Sequence, residues 1–392
     1  MRILWLTSYS IWPPVHGGKI RVYNLVRHLA GLGDEIEVWC ISDDRPSDLA
    51  PEVPGLSVRL MPARPRSSLA AKVGAAISAL PSAAWRLRSP EVLTELDTAG
   101  RFDIAVLEQA VCGALTPEVT HARIPWVLDT QNVEWLLTWQ ITRRLRSPVT
   151  KARFALDAFK FKRLEKRLLQ SATEVIAVSQ EDADRLQSLA PSAGIEIRPN
   201  GVDVDYFSFV DHSTPRSAHL LMTGTLGYFP NLDASMWLIH EILPRVRKRL
   251  PEVTLTLVGG EATPELTELE GPGIHIAGQV PDVRPYTAAA DVFVMPLRVG
   301  SGTRLKALEA LASGLPIVAT RLAVEGLGLV ERDLVLLGET PDELAFAIER
   351  AVTDLPLRAR LVRDGRRYAV DCFSWDRIAA DFQNTLERVA RG

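Results

Sequence analysis

Short unbroken apolar runs, separated by amphipathic stretches, constrain this chain more than any other feature. Ile3–Leu6, Ile36–Ile41, Ser57–Met61, Ile104–Leu107, Trp126–Leu128 and Glu174–Val178 lack the alternation of a half-exposed strand. They read as parallel strands buried on both faces. Between them the spacing turns helical: in Ile20–Leu32, Val22, Val26 and Leu29 recur at i, i+4 and i+7. The pattern restarts with Leu220–Met222, Val253–Val258, Asp291–Met295, Leu315–Thr320 and Leu334–Leu337. Parallel strands need crossover connections, usually helices, so two successive doubly wound α/β units follow. The polar, Pro/Gly/Ser-bearing stretch Ala190–Gly201 marks their boundary. Ser374–Val389 reads as a final helix, with Ile378, Phe382, Leu386 and Val389 on one face.

At 392 residues the chain has room for two cores. A net charge of −3 gives no whole-protein basis for binding nucleic acid. Cys40, Cys112 and Cys372 are scattered and lack metal spacing, which fits a reduced setting. Ile3–Leu6 is too short for a signal-peptide core. The longest apolar candidate for a membrane span, near Leu69–Ala84, is broken by Lys72 and Pro81. A cytoplasmic protein is expected. One region departs from the neutral average: Arg143–Arg167 holds ten Lys/Arg against Asp157 and Glu165, with Phe154, Leu156, Phe159 and Phe161 interleaved. Arg64–Arg88 adds five basic residues and no acid. Such stretches are either solvated faces or basic amphipathic surfaces for an anionic membrane or acceptor.

The chemistry concentrates in Gly300–Thr320. It reads as a glycine-rich turn, a helix from about Ser301 to Ala312, and Gly314 as its stop. Free N–H groups at such a helix start, with the dipole's positive end, suit a diphosphate. Ser301, Gly302 and Thr303 would line that turn. Arg304 and Lys306 fall in the expected first turn, an unfavourable place for a cation unless an anion is bound. At 100° per residue Glu309 borders the stripe of Leu305, Leu308 and Ala312. There a carboxylate needs either a basic partner or ligand hydroxyls, and geometry alone leaves both open.

The whole segment resembles the donor-binding signature of retaining glycosyltransferases of family four. That signature has two glutamates with seven residues between them, then Ala, Gly-x-Pro and a strand. Glu309-Ala310 and Gly314-Leu315-Pro316-Ile317-Val318 match its second half. Other pieces follow in the family's order: Gly17-Gly18, Val178-Ser179, Pro199-Asn200-Gly201-Val202-Asp203, Gly224, Gly278-Gln279-Val280, Ala290–Pro296 and Phe373-Ser374-Trp375. The resemblance implies a GT-B fold: two doubly wound Rossmann-like domains facing across a cleft, with a C-terminal helix crossing back to the first. Residues 1–197 would bind acceptor, 198–371 would bind the nucleotide-sugar, and 372–392 would form the returning helix. It further implies that Glu309 holds ribose hydroxyls, that Val280 frames the base, and that Gly17 and Gly18 bring backbone close to substrate. Asn200, Gly224 and Thr225 fall in motifs that border the donor.

The chain also departs from the family pattern. Ser301 stands where the first glutamate belongs. Thr225 and Pro230 stand near the usual Arg and Lys of the diphosphate grip, so Arg304 and Lys306 are the available replacements. Gln131 falls near the family's active-site histidine, with Glu108, Asp129, Asn132 and Glu134 as neighbouring polar candidates. Asp203-Val204-Asp205 has a D-x-D form, but it sits inside the boundary motif and reads as structural. His16 reads as a solvated loop residue. The expected activity is metal-independent, retaining transfer from a UDP- or GDP-sugar to a hydroxyl, with no other cofactor and no nucleic acid. A nucleotide-sugar 2-epimerase and a noncatalytic sugar-nucleotide-binding subunit are the alternatives. Peripheral contact with the inner membrane face would run through Arg64–Arg88 and Arg143–Arg167.

Overall fold

The computed structural model describes residues 1–14, 17–43, 52–65, 69–97, 102–145, 147–300 and 304–391, the side chains of 69–72 excepted. Two units divide the chain. The first comprises Met1–Asn200 with Trp375–Gly392, the second Gly201–Ser374.

The first unit is built on seven strands: β1 (Arg2–Thr7), β2 (Glu35–Ile41), β3 (Leu56–Met61), β4 (Ile104–Glu108), β5 (Trp126–Thr130), β6 (Glu174–Ala177) and β7 (Ile195–Ile197). Their order is β3-β2-β1-β4-β5-β6-β7, and every pairing is parallel. The central strands are buried on both faces, which is why their sequences run apolar without alternation. Helices cover both faces. One is the terminal Trp375–Ala390 helix, whose Phe382 stacks on Trp5 with ring centroids 5.6 Å apart. Its Gln383 amide donates to Asp34 at 2.8 Å and its Arg388 pairs with Glu174 at 3.0 Å.

The second unit repeats the plan with β8 (His219–Thr223), β9 (Thr254–Val258), β10 (Ile274–Gly278), β11 (Val292–Met295), β12 (Ile317–Ala319) and β13 (Leu336–Leu337). The order is β10-β9-β8-β11-β12-β13, again all parallel. Each unit has its own apolar core.

Two strands depart from the sequence reading. β7 lies inside the stretch read as a boundary, and β10 was not anticipated. Both are edge strands with partly exposed residues, β7 only three residues long and β10 carrying an exposed His275. Edge strands do not need a continuous apolar run. The strand order fixes where ligands go. In doubly wound sheets the order reverses at a switch point, and ligands bind beyond the carboxyl ends of the strands there. The switch lies between β1 and β4 in the first unit and between β8 and β11 in the second.

Candidate functional site

At the first switch point the chain assembles a buried polar cluster. Glu108 ends β4 and is fully buried. Its Oε1 accepts from Tyr9 Oη at 3.2 Å and from Gln131 Nε2, while its Oε2 has no hydrogen-bond partner among the described residues. Burial and then the Asp129 carboxylate raise the Glu108 pKa well above the ordinary carboxylate value, favouring its protonated form. Asp129, on β5, accepts a bidentate pair from Arg21 Nε at 2.9 Å and Nη2 at 2.7 Å. Arg21 Nη1 donates to Pro199 O and Asn200 Oδ1, both at 3.0 Å.

Gly18, in the first turn of the Gly17–Gly31 helix, rests on this cluster. A Cβ there would fall 2.7 Å from Tyr9 Oη and 3.3 Å from Gln131 Oε1, so only glycine lets the helix start this close. The structure thus brings Gly18 and Gln131 together, with Gly17 beside them. Asn200 is buried and engaged by Arg21 within the first unit. His16 lies outside the described residues. Nearby, Glu165 accepts from Glu134 N at 2.8 Å and Trp135 N at 3.0 Å, capping the Glu134–Arg144 helix. Burial pushes Glu134 up to about 7, and burial together with Glu134 pushes Glu165 up to about 8.

At the second switch point backbone approaches backbone. Gly224, just after β8, donates its N–H to Val258 O at 2.8 Å. Gly259 has φ +153°, and a Cβ there would lie 1.5 Å from Gly224 O, so glycine is required. Asn231 Nδ2 donates to Thr225 O at 3.0 Å and closes the turn, while Pro230 is buried near the start of the Phe229–Trp237 helix. Neither Thr225 nor Pro230 brings charge.

After β11, Arg298 is pinned to Asp233 at 3.0 and 2.7 Å, with its guanidinium over Trp237. Gly300 has φ +140°, and its missing Cβ would lie 2.1 Å from Arg304 Nη2. The guanidinium of Arg304 therefore folds back on the Gly300 backbone. The helix runs Leu305–Ser313 and Gly314 caps it with φ +81°. This corrects the expected start at Ser301: Arg304 occupies the N-cap position with extended φ −91°, ψ 96°, outside the first turn. Ser301, Gly302 and Thr303 lie outside the described residues.

Lys306 sits in the first turn and Glu309 one turn on, both half-buried. Among the described residues neither makes a hydrogen bond or an ion pair. Burial raises the Glu309 pKa and lowers that of Lys306, each opposed by the other's charge. Two half-buried groups of opposite sign, i and i+3 on a helix start, provide a donor and an acceptor to an incoming polar ligand.

One further group feels the charge of Glu309. Tyr206 Oη donates to Asp282 at 3.4 Å, and Arg284, paired with Asp282, lies 4.1 Å over the Tyr206 ring. Glu309 adds to the upward push that burial and Asp282 exert on the Tyr206 phenol. Val280, half-buried, follows Gly278, whose φ of +64° ends the β10 ladder. The sequence signal for this group was an Asp two residues past Val280 and an aromatic just after the boundary motif. Asp203 closes a turn by accepting from Tyr206 N at 2.9 Å. Among the described residues no group of three or more His, Cys, Asp or Glu could hold a metal ion.

Comparison with known proteins adds to this geometry. Residues 217–354 match the family model "Glycosyl transferases group 1", and residues 16–201 match "Glycosyl transferase 4-like domain". A GDP-mannose-dependent alpha-(1-6)-phosphatidylinositol monomannoside mannosyltransferase of Mycobacterium tuberculosis is 28% identical over 246 residues, covering 56% of this chain and 63% of that protein. The chain thus matches less than two thirds of that relative's length. Sucrose-phosphate synthase of Thermosynechococcus elongatus superposes with a TM-score of 0.74 at 19% identity, covering 99% and 98% of the two chains. Anabaena Alr3699/HepE, solved in complex with UDP-glucose, gives 0.68 at 16% identity over 99% and 100%. The fold they share with this chain is GT-B.

Proposed function

The chain belongs to the group 1, family-four glycosyltransferases, and from that premise we propose that it moves a sugar from a nucleotide-diphosphate sugar to an acceptor hydroxyl in glycolipid or glycan biosynthesis. The reaction retains anomeric configuration and uses no metal. The observation that carries this reading is the Lys306–Glu309 pair, half-buried beside a glycine turn at the second switch point with no partner among the described residues. Glu309 accepts the ribose hydroxyls, Val280 borders the base, and the backbones of Gly224 and Thr225 lie along the donor. By sequence position Ser301, Gly302 and Thr303 are the further candidates for donor contact.

In the reaction the bond between the anomeric carbon and the diphosphate oxygen breaks first. The bond's electron pair leaves with the diphosphate, and the sugar gains oxocarbenium-like character. Lys306 and the free N–H groups of the helix start stabilise the charge developing on the leaving group. Arg304, held against Gly300, adds positive potential from the same loop. The acceptor oxygen then bonds to the anomeric carbon from the same face, and its proton passes to a phosphate oxygen. In the first unit Gln131 stands in the histidine's place, its amide donating to Glu108, with Gly18 resting against the same cluster. The donor is a UDP- or GDP-sugar, in keeping with the UDP-glucose bound by the Anabaena protein and the GDP-mannose dependence of the mycobacterial relative.

The test is to incubate the purified chain, in excess chelator, with UDP-, GDP-, ADP- and dTDP-sugars and hydroxyl acceptors. Release of one nucleoside diphosphate with a product of retained configuration is expected. Turnover of none of these donors, or turnover only after metal is restored, contradicts the reading.

A further inference from the structure

The Pro148–Ser171 helix sorts its charges by sign. Both of its acids point inward: Asp157 accepts from Ser82 N and Oγ, each at 3.1 Å, and Glu165 caps the Glu134–Arg144 helix. Lys160 is the one buried cation among its described residues, and its Nζ donates to Ala75 O and Ala76 O at 3.0 and 3.1 Å. These carbonyls end the Leu69–Ile77 helix, where an ammonium also suits the dipole. Lys151, Arg153, Lys162, Arg163, Lys166 and Arg167 are all exposed, and none makes an ion pair with a described residue. The charges on the exposed face of this first-unit helix are therefore all basic, although the protein's net charge is −3.

That face is also apolar. At 100° per residue Val149, Ala152, Leu156, Phe159, Arg163 and Lys166 fall within an arc of roughly 100°. Val149 is 81% exposed and Phe159 58%. The Lys160 bonds bring the end of the Leu69–Ile77 helix alongside, and there Ile77 is 81% exposed with Val73 one turn earlier. Burying such side chains in a protein partner would leave six cations to be matched as well. A bilayer of anionic lipid satisfies both demands at once, apolar side chains entering the acyl boundary and cations meeting headgroups. Nucleic acid fits less well, because the exposed apolar residues are mostly aliphatic and offer one aromatic ring for stacking.

We propose that this two-helix face, Val73 and Ile77 with Val149, Leu156 and Phe159 ringed by the six cations, seats the protein on an anionic membrane surface. The proposal stands apart from the transfer reaction, since its readout is binding to lipid without donor or acceptor.

The test sediments the full chain with vesicles of equal parts phosphatidylglycerol and phosphatidylcholine, and with phosphatidylcholine alone. Partition onto the anionic vesicles is expected, lost on raising the salt. Arg163→Glu with Lys166→Glu should lower that partition at least tenfold, since each basic residue near an anionic surface contributes roughly a factor of five. Leu156→Ser with Phe159→Ser should lower it by about the same factor, through lost apolar insertion. Unchanged nucleotide binding and melting in these variants show that they fold, and Arg360→Glu in the second unit should leave partition as it was. No association of the wild type with anionic vesicles overturns the proposal. So does equal binding to phosphatidylcholine, or partition unmoved by both double variants. Retention on RNA in place of vesicles overturns it too.

Discussion

Arg21 and Asp129 in the first domain meet at 2.7 Å and are both fully buried, whereas Lys306 and Glu309 in the second stand one turn apart with no partner among the described residues. Both pairs occupy the region beyond a topological switch point, and both place opposite charges out of bulk water. The first closes on itself: Asp129 gives both oxygens to one guanidinium, whose Nη1 holds Pro199 O and Asn200. The second keeps its hydrogen-bonding capacity for something else. A buried ion pair that is fully bonded organises structure, while an incomplete one marks where binding energy can be gained.

The comparison breaks most visibly where a closed pair is opened. Arg21→Ala leaves Asp129 buried and unpaired, which costs roughly 3–5 kcal/mol of stability. Chemical denaturation measures it, and an unchanged midpoint would remove the distinction between the two domains. Lys306→Ala acts on the other side of the comparison. It should lower turnover by about two to three orders of magnitude, the scale of one preorganised charge-stabilising donor, with the melting temperature nearly constant. Arg304→Ala should have the smaller effect, since its guanidinium is already turned onto Gly300. If both keep normal turnover, the cation assignment fails.

Glu108 sharpens the contrast. Glu108→Ala removes the acceptor that Tyr9 and Gln131 share and should cost roughly 1–3 kcal/mol. Glu108→Gln keeps the accepting oxygen and should be close to neutral by the same denaturation curve. A pH dependence follows from Glu134 and Glu165. Their folded pKa values, about 7 and about 8, lie above the ordinary 4.5. The native state therefore holds more protons than the unfolded chain, so this stabilisation is complete below pH 4.5 and is lost as pH rises through about 8. Melting scans across that window should show a decline of several degrees that Glu165→Gln flattens.

The central strands were legible in the sequence because burial on both faces writes a continuous apolar run. β7 and β10 were not, because edge strands tolerate exposed residues and irregular ends. Lys306 and Glu309 were legible as neighbours because i, i+3 spacing is enforced by the helix itself. The cluster of Tyr9, Gly18, Glu108 and Gln131 was only partly so. Its members are scattered over more than a hundred residues, and only the order β1-β4-β5 brings them together. The helix start was misplaced for a local reason: the positive φ of Gly300 and the extended Arg304 delay the first helical residue to Leu305.

The most direct measurement is the melting temperature of the wild type and of Glu309→Gln, each with and without saturating UDP or GDP. A ligand that binds only the folded state raises the transition in proportion to its affinity. The expected result is an unliganded transition that Glu309→Gln leaves in place, with a nucleotide-induced rise reduced to match an affinity loss of roughly 1.5–3 kcal/mol. The contradicting result is the reverse: a variant that melts earlier on its own yet gains as much from nucleotide as the wild type. Glu309 would then be part of the scaffold, as Asp129 is.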